Sequence, residues 1–310
     1  MLLLNRKTLL ADLTLLLVTF IWGATFVLVQ DATESMPPFS FLAVRFAVAA
    51  VLLYLILLIW KPDQLRFRKK IWSAGAIAGF WLFAGYAFQT FGLQYTTASK
   101  AGFITGLSVI LVPLLAIWML RMMPTRWTIA GAGMASVGLA MLSLNRVEAA
   151  NFGDLLVFFG AFSYAMQILL VGKYAPLFPA LPFVLVQIIV ITILNALGAV
   201  LFEPWQSALR PHVLLNSTVI AAIIICALFA TVFAYVTQAV VQKFTTATRT
   251  ALIFSMEPVF AALAGYLWAD ERLTLQAVVG CLLILVGMIL AELGGSQEKT
   301  ERMPDTRPVP

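Results

Sequence analysis

The chain has 310 residues, of which 62% are hydrophobic and only 11% are charged, whereas soluble domains carry roughly 25% charged residues. This composition excludes a soluble globular protein and indicates an all-α integral membrane protein. The formal net charge of +6 requires no nucleic-acid partner, because most of the positive residues fall in connectors on one side of the predicted membrane spans.

Ten apolar stretches are long enough to cross a bilayer as helices, since about 20 residues at 1.5 Å each cover a hydrocarbon core of about 30 Å. The connectors between them are short, which leaves no room for a soluble domain. The predicted spans, numbered 1 to 10 in chain order, are residues 9–29, 39–59, 71–92, 98–120, 125–144, 152–172, 182–202, 215–240, 247–268 and 273–291.

The distribution of Lys and Arg sets the predicted orientation. With the N-terminus in the cytoplasm, fifteen of the 20 Lys and Arg residues lie on the cytoplasmic side and four lie outside. Positive connectors favour the cytoplasm. Both termini are therefore predicted to be cytoplasmic, in the plasma membrane of a bacterium.

An internal repeat divides the chain. TTASK at 96–100 recurs as TTATR at 245–249, an offset of 149 residues. A repeat that keeps one offset over many positions indicates duplication. The same offset relates Tyr86 to Tyr235, Gln89 to Gln238, Gly131 to Gly280 and Gly138 to Gly287.

A second match begins each copy: ADLTLLLVTFIW at 11–22 resembles GDLLVFFGAFSY at 153–164. The predicted domains are two five-helix halves, residues 1–146 and 147–293, followed by a disordered tail at 294–310. Because five is odd, the two halves enter the membrane from opposite sides. The predicted architecture is a 5+5 inverted repeat, as in many secondary transporters.

Three segments within this duplicated chain resemble one known family. WGATF at 22–26, RF at 45–46 and EPVFAALAGYLWADERLTLQAVVG at 257–280 are similar to segments of the EamA-type transporters of the drug/metabolite transporter superfamily. The resemblance covers about residues 9–291. It implies a central cavity between the halves and a carrier that exports amino acids, metabolites or drug-like molecules.

Two repeated Tyr-x-x-Gln pairs are candidate substrate-binding residues. Tyr86 and Gln89 share one face of span 3, because residues three apart lie on the same side of a helix. Tyr235 and Gln238 share one face of span 8 in the same way. These rings and amides either line a central pathway and bind substrate or form hydrogen bonds that only hold the helices together.

A second matched set lies in spans 1 and 6. Trp22, Thr25 and Phe26 are in span 1, and Tyr164 and Gln167 are at the matching places of span 6. Aromatic residues in a span serve as packing or as the lining of a pocket. The resemblance of WGATF to the family gives Trp22 the leading place among these cavity candidates.

Arg45 is a positive charge inside span 2. It lies six residues from the extracellular end, a depth of roughly 9 Å at 1.5 Å per residue. Three alternatives account for it: the side chain snorkels outward, it pairs with Asp31 or Glu203, or it binds a substrate carboxylate.

Glu257 lies near the middle of span 9, where a hydrocarbon environment favours the neutral carboxylic acid. If the acid ionises when a cavity admits water, it is a proton-coupling site. The alternative is a permanently protonated acid bonded to a neighbouring helix or to a carbonyl freed by Pro258. Pro113 and Pro258 are candidate helix-bending positions, because each removes a backbone hydrogen bond.

A secondary carrier is the predicted function, because the sequence combines an inverted repeat with the lack of a nucleotide-binding loop. The first alternative is a channel or lipid-translocating subunit, for which repeated filter residues would be expected. The second is a membrane enzyme, for which clustered acids and histidines would be expected. Neither Cys226 nor Cys281 has metal-ligand spacing, so no metal or cofactor is expected. The expected partners are a small-molecule substrate and the lipid bilayer, with a homodimer left open.

A tag fused after Pro310 is expected to face the cytoplasm, because that terminus lies on the side of the positive connectors. An impermeant antibody added to intact spheroplasts and to inverted vesicles measures its position. Labelling of inverted vesicles alone agrees with the predicted topology. Labelling of intact spheroplasts contradicts it.

Overall fold

The computed structural model describes residues 6–65, 69–92, 95–96, 98–121, 123–143, 151–268 and 274–301. These residues form helices and short turns, and no strand occurs among them. The predicted all-α class is confirmed.

Helices follow one another throughout both sequence halves. The first half contains α1 (Arg6–Ser35), α2 (Pro38–Trp60), α3 (Lys69–Gly92), α4 (Ala98–Gly106), α5 (Ser108–Leu120) and α6 (Arg126–Ser143). The second contains α7 (Phe152–Tyr174), α8 (Ala180–Phe202), α9 (Trp205–Ala208), α10 (Pro211–Leu214), α11 (Ser217–Ile225), a π-helical segment (Cys226–Phe233), α12 (Ala234–Val241), α13 (Ala247–Phe254), α14 (Glu257–Trp268) and α15 (Leu275–Glu301).

Six helical stretches in the described part of the chain are long and apolar enough to cross a membrane, and two shorter apolar helices accompany them. Large apolar side chains such as Ile59 and Trp60, which are 71% and 74% exposed, face outward as lipid contact requires. The protein is therefore a multi-pass membrane protein. Six stretches do not establish ten spans, so the number of spans and the side of the termini stay predictions.

Spans 4 and 9 are not continuous helices. Span 4 is interrupted at Leu107, between α4 and α5, and span 9 at Ser255–Met256, between α13 and α14. Bonds between residues three apart tighten both turns, with Leu107 N donating to Ile104 O at 3.1 Å and Met256 N to Ile253 O at 3.1 Å. The offset of 149 relates the two breaks, so both copies are interrupted at the same place.

The two prolines relate differently to these breaks. Pro258 is the second residue of α14, where a proline costs little because the first backbone N–H groups of a helix have no partner within it. Pro113, predicted as a bending position, lies inside α5. The interruption of span 4 comes six residues earlier, at Leu107, because the chain there turns through bonds between residues three apart.

Two more features of the helices were not predicted from the sequence. Span 8 consists of α11, the π-helical segment and α12 rather than one regular α-helix. Disorder was predicted from residue 294, but α15 continues to Glu301, because SQEKTE contains good helix formers that extend the preceding helix. Residues 302–310 lie outside the described ranges.

The helix contacts repeat between the two halves. α1 packs against α14, and its counterpart α7 packs against α5. α3 packs against α8, while the π-helical segment of span 8 packs against α2. The buried core between these helices includes Phe41, Phe46 and Phe183, all fully enclosed. Exchanging the halves therefore reproduces the same set of helix neighbours.

The contact between α6 and α15 shows how the two copies are related. A methyl group added to Gly138 would lie 2.6 Å from Gly280 O, and one added to Gly287 would lie 2.6 Å from Gly131 O. Gly138 thus contacts Gly280, which is the counterpart of Gly131, and Gly131 contacts Gly287, which is the counterpart of Gly138. The two helices run antiparallel with backbones in direct contact, an approach that only glycine permits.

Gly131→Ala is expected to lower the free energy of unfolding by about 1–3 kcal/mol, because the new methyl overlaps the backbone of α15. Gly133→Ala is the matched control in the same helix, since nothing lies within 4 Å of the added atom. We expect it to be neutral or slightly stabilising. Unfolding in detergent at equal protein concentration tests the pair, and equal effects of both substitutions would contradict the close contact.

Candidate functional site

Four aromatic rings from both halves meet in the interior, and we call Trp22, Tyr86, Tyr164 and Tyr235 the aromatic cluster. The Tyr86 and Tyr164 rings are 5.7 Å apart, and the Trp22 and Tyr235 rings are 5.8 Å apart. The hydroxyls of Tyr86 and Tyr235 are hydrogen-bonded at 3.1 Å. Helices α1, α3, α7 and α12 each contribute one ring.

The aromatic cluster follows the sequence repeat. Tyr86 and Tyr235 are counterparts at the offset of 149, and Trp22 and Tyr164 are counterparts in the match of 11–22 with 153–164. The contact of Trp22 with Tyr235 is therefore equivalent to that of Tyr164 with Tyr86. The two tyrosine hydroxyls meet where the copies meet.

Arg45 lies beside this cluster and is 4% exposed. Its Nε donates to Thr231 Oγ1 at 3.1 Å, and its Nη2 donates to Ala230 O at 3.5 Å. The guanidinium carbon lies 5.2 Å from the ring centre of Phe46 and 5.8 Å from that of Tyr86. Cation–π attraction of this kind partly replaces lost hydration.

The predicted acidic partners do not reach Arg45. Glu203 instead accepts hydrogen bonds from the backbone of Phe39 and Ser40, at 2.7 and 2.9 Å, because its carboxylate caps the start of α2. Asp31 is exposed. Among the described residues no carboxylate forms an ion pair with Arg45, which removes the structural pairing from the three alternatives.

The π-helical segment supplies the polar atoms that hold two of the predicted residues. Ala230 O accepts from Trp22 Nε1 at 2.9 Å as well as from Arg45 Nη2, and Thr231 accepts from Arg45 Nε. A π-helix displaces backbone carbonyls from the regular ladder and is frequent at functional sites. No glycine or proline marks this segment, so the sequence carried no signal for it.

Gln89, which was predicted to share a face of span 3 with Tyr86, is hydrogen-bonded to a residue of the aromatic cluster. Its Oε1 accepts from the Tyr164 hydroxyl at 3.1 Å, and its Nε2 donates to Thr105 Oγ1 at 3.0 Å. Thr105 was not predicted from the sequence. It lies in α4, two residues before the interruption of span 4.

Gln167 and Gln238 form a separate cluster with Gln187. Gln238 Nε2 donates to Gln167 Oε1 at 3.2 Å, and Gln167 Nε2 donates to Gln187 Oε1 at 3.3 Å. All three are nearly fully buried. Because these amides bind one another, the arrangement fits the alternative that they hold the helices together.

The remaining cavity candidates in span 1 contribute less polar surface. Thr25 Oγ1 donates within its own helix, to Ile21 O at 2.8 Å, so its proton is already used. The side chain of Phe26 lies outside the described part of the structure. Trp22 is therefore the residue that α1 brings into the aromatic cluster.

Glu257 begins α14, directly after the interruption of span 9. It is partly buried, and neither a hydrogen bond nor an ion pair to its side chain occurs among the described residues. The bond to a neighbouring helix that a purely structural glutamate would make is not found in this part of the chain.

Gly23 explains how α14 approaches the aromatic cluster. A methyl group added to Gly23 would lie 2.7 Å from Ala261 N and 2.9 Å from Glu257 O. The glycine next to Trp22 thus allows the first turn of α14 to pack directly on α1. Glu257 and Trp22 are brought to the same level of the bundle.

Two polar contacts lie at the starts of equivalent helices, and we call them the end contacts. Asp12 in α1 forms an ion pair with Arg249 of TTATR, in which Arg249 Nε lies 2.9 Å from Asp12 Oδ1. Asp154, the counterpart of Asp12, accepts from the hydroxyl of Thr96 in TTASK. The sequence showed the repeat of these segments, but not that each repeat meets the equivalent aspartate.

Comparison with known proteins agrees with this architecture. A model of the EamA-like transporter family matches residues 9–144 and again residues 151–293. The chain belongs to the EamA-like transporter family. It carries two copies of the EamA domain, and it is a membrane transporter of small molecules rather than an enzyme.

Relatives of this EamA chain share nearly its whole length. An uncharacterised transporter of Archaeoglobus fulgidus is 34% identical over 287 residues, which cover 93% of this chain and 87% of that protein. The uncharacterised transporter YoaV of Bacillus subtilis is 25% identical over 290 residues, covering 91% and 96%. A solved crystal structure shares the fold, with a TM-score of 0.78 and 21% identity over 93% of this chain and 98% of the other.

Proposed function

We propose that the protein exports a small metabolite by alternating access, as a ten-span carrier made of two inverted halves, residues 1–146 and 147–293, with both termini in the cytoplasm. The observation that carries this proposal is the hydroxyl contact between Tyr86 and Tyr235. Counterparts from the two copies meet inside the aromatic cluster, where inverted-repeat carriers bind substrate. Export follows from the family resemblance.

The antiparallel packing of α6 and α15 supports the inversion of the halves. A two-fold rotation that exchanges two antiparallel helices has its axis perpendicular to the helix axes, not parallel to them. If both helices span the membrane, that axis lies in the membrane plane. Two halves related in this way present equivalent surfaces to opposite sides, which is the symmetry that alternating access uses.

The end contacts provide a means of closing each side in turn. With the N-terminus inside, the Asp12–Arg249 pair lies at the cytoplasmic end and the Asp154–Thr96 contact at the extracellular end. A partly exposed ion pair contributes only about 1 kcal/mol or less. The Asp12–Arg249 pair is therefore weak enough to break during a transport cycle while the Asp154–Thr96 contact holds.

Glu257 is the proposed proton-coupling residue. It begins a half-helix, the kind of interrupted span that forms ion and substrate sites in many carriers. The helix N-terminus stabilises the ionised carboxylate, whereas exclusion of water stabilises the protonated acid. Opening and closing of the site would thereby change which form is favoured.

Glu257→Gln tests this role. Gln resembles the protonated acid in size and hydrogen bonding but does not ionise, so we expect normal folding and loss of transport driven by an imposed pH gradient. A decrease of at least 10-fold in proteoliposomes, at matched protein levels, is the expected result. Binding of substrate should survive.

Asp31→Asn is the matched control, because it removes one carboxylate from an exposed position and should leave the rate unchanged. Saturable and competable uptake by the wild type establishes carrier behaviour in the same assay. Wild-type pH-driven rates in Glu257→Gln would show that the carboxylate has a structural role and overturn the coupling proposal.

A further inference from the structure

We infer that the aromatic cluster takes an organic monoanion, in which a single carboxylate is bound by Arg45 and an apolar or aromatic body lies among the rings. This inference rests on the proposed function, since it names the substrate class of the same site. It follows from the charge, the hydrogen-bond donors and the ring contacts around Arg45.

The charge of Arg45 is not compensated within the described structure. The guanidinium is permanently protonated and is 4% exposed, yet its polar partners there, a threonine hydroxyl, a backbone carbonyl and the Tyr86 hydroxyl, are all neutral. A buried charge without a counter-ion is strongly destabilising. A bound anion supplies the missing charge in the loaded state.

The two Nη groups of Arg45 are the donors that a carboxylate would use. Nε is bonded to Thr231, and Nη2 has only a long contact of 3.5 Å to Ala230 O. The Tyr86 side chain also lies against the guanidinium, and no carboxylate among the described residues accepts a bond from it. Arginine and carboxylate commonly form two parallel hydrogen bonds, and the two Nη groups provide that pair of donors.

The tyrosine pair provides one further donor. The hydroxyls of Tyr86 and Tyr235 share a single hydrogen bond, but together they have two protons. One proton is used between them, and the other remains for an acceptor. A carboxylate oxygen accepts such a bond more strongly than a neutral oxygen does.

The rings determine what accompanies the carboxylate. Trp22 contacts Phe254 with ring centres 4.8 Å apart, in addition to its contact with Tyr235. These surfaces favour an apolar or aromatic group over a second charged one. Arg45 is the one cation in contact with the aromatic cluster in the described part of the chain, so a single negative charge is balanced and a phosphate dianion is not.

A panel of ligands with one body and different charges tests the inference. Purified full-length protein in lipid nanodiscs is heated with phenylacetate, phenylacetamide, phenethylamine or phenylalanine, and the unfolding midpoint is measured. We expect phenylacetate to raise the midpoint and the neutral amide and the amine to leave it unchanged. Hexanoate shows whether an aliphatic body suffices.

Variants of Arg45 assign the effect to this residue. Arg45→Gln should weaken phenylacetate binding at least 10-fold, and Arg45→Lys, which keeps the charge but not the forked donors, should weaken it less. If Arg45→Gln does not fold, the Lys variant and the ligand panel still decide. Arg210→Gln, at an exposed position, is the matched control and should bind as the wild type does.

Several results would overturn the inference: equal stabilisation by the amide and the acid, selective stabilisation by the amine or by phenylalanine, no stabilisation by either acid, or unchanged phenylacetate binding in a folded Arg45→Gln. Saturable transport of a neutral or cationic compound would do the same while leaving the proposed function intact. Absence of saturable transport together with binding of phenylacetate would instead contradict the carrier.

Discussion

The interior placement of a permanent positive charge is the constraint on which the rest of the site depends. Arg45 cannot lose its proton, and its helix lies in a bundle whose outer surface is apolar. The π-helical segment, a threonine hydroxyl and two aromatic rings surround it. Each removes part of the cost of burial, and none supplies a negative charge. The site is thereby organised around an incompletely balanced cation.

The two copies are symmetric in their helix contacts but not in the positions of their buried charged residues. The Trp22–Tyr235 and Tyr164–Tyr86 ring contacts, the helix interruptions and the glycine contacts between α6 and α15 occur as equivalent pairs. At the offset of 142 that relates residues 11–22 to 153–164, however, the counterpart of Arg45 is Gln187, and at the offset of 149 the counterpart of Glu257 is Ser108. A symmetric arrangement of helices can alternate between two equivalent conformations. The two charged residues without a charged counterpart, Arg45 and Glu257, are the proposed binding sites for the substrate and the proton.

Hydropathy and the repeat together predicted the all-α class, the helices and the equivalence of Tyr86 and Tyr235, because both signals are carried by residue type and spacing. They did not predict the π-helical segment, the break at Leu107 or the separation of the Gln167–Gln238 pair from the rings. Those features depend on hydrogen bonds between distant residues, which leave no periodic pattern. Thr105 and Thr231 were missed for the same reason, since a threonine in an apolar span has no distinctive local signal.

Side-dependent access to the site tests the account most directly. Thr25→Cys, with Cys226 and Cys281 replaced by Ala, is labelled with an impermeant thiol reagent in spheroplasts and in inverted vesicles. Arg249→Asp faces Asp12 with a like charge and should speed labelling from the cytoplasm, whereas Thr96→Asp faces Asp154 and should speed labelling from outside. Alternating access between the end contacts predicts these opposite responses. Faster labelling from the same side in both variants, or no change in either, would contradict it.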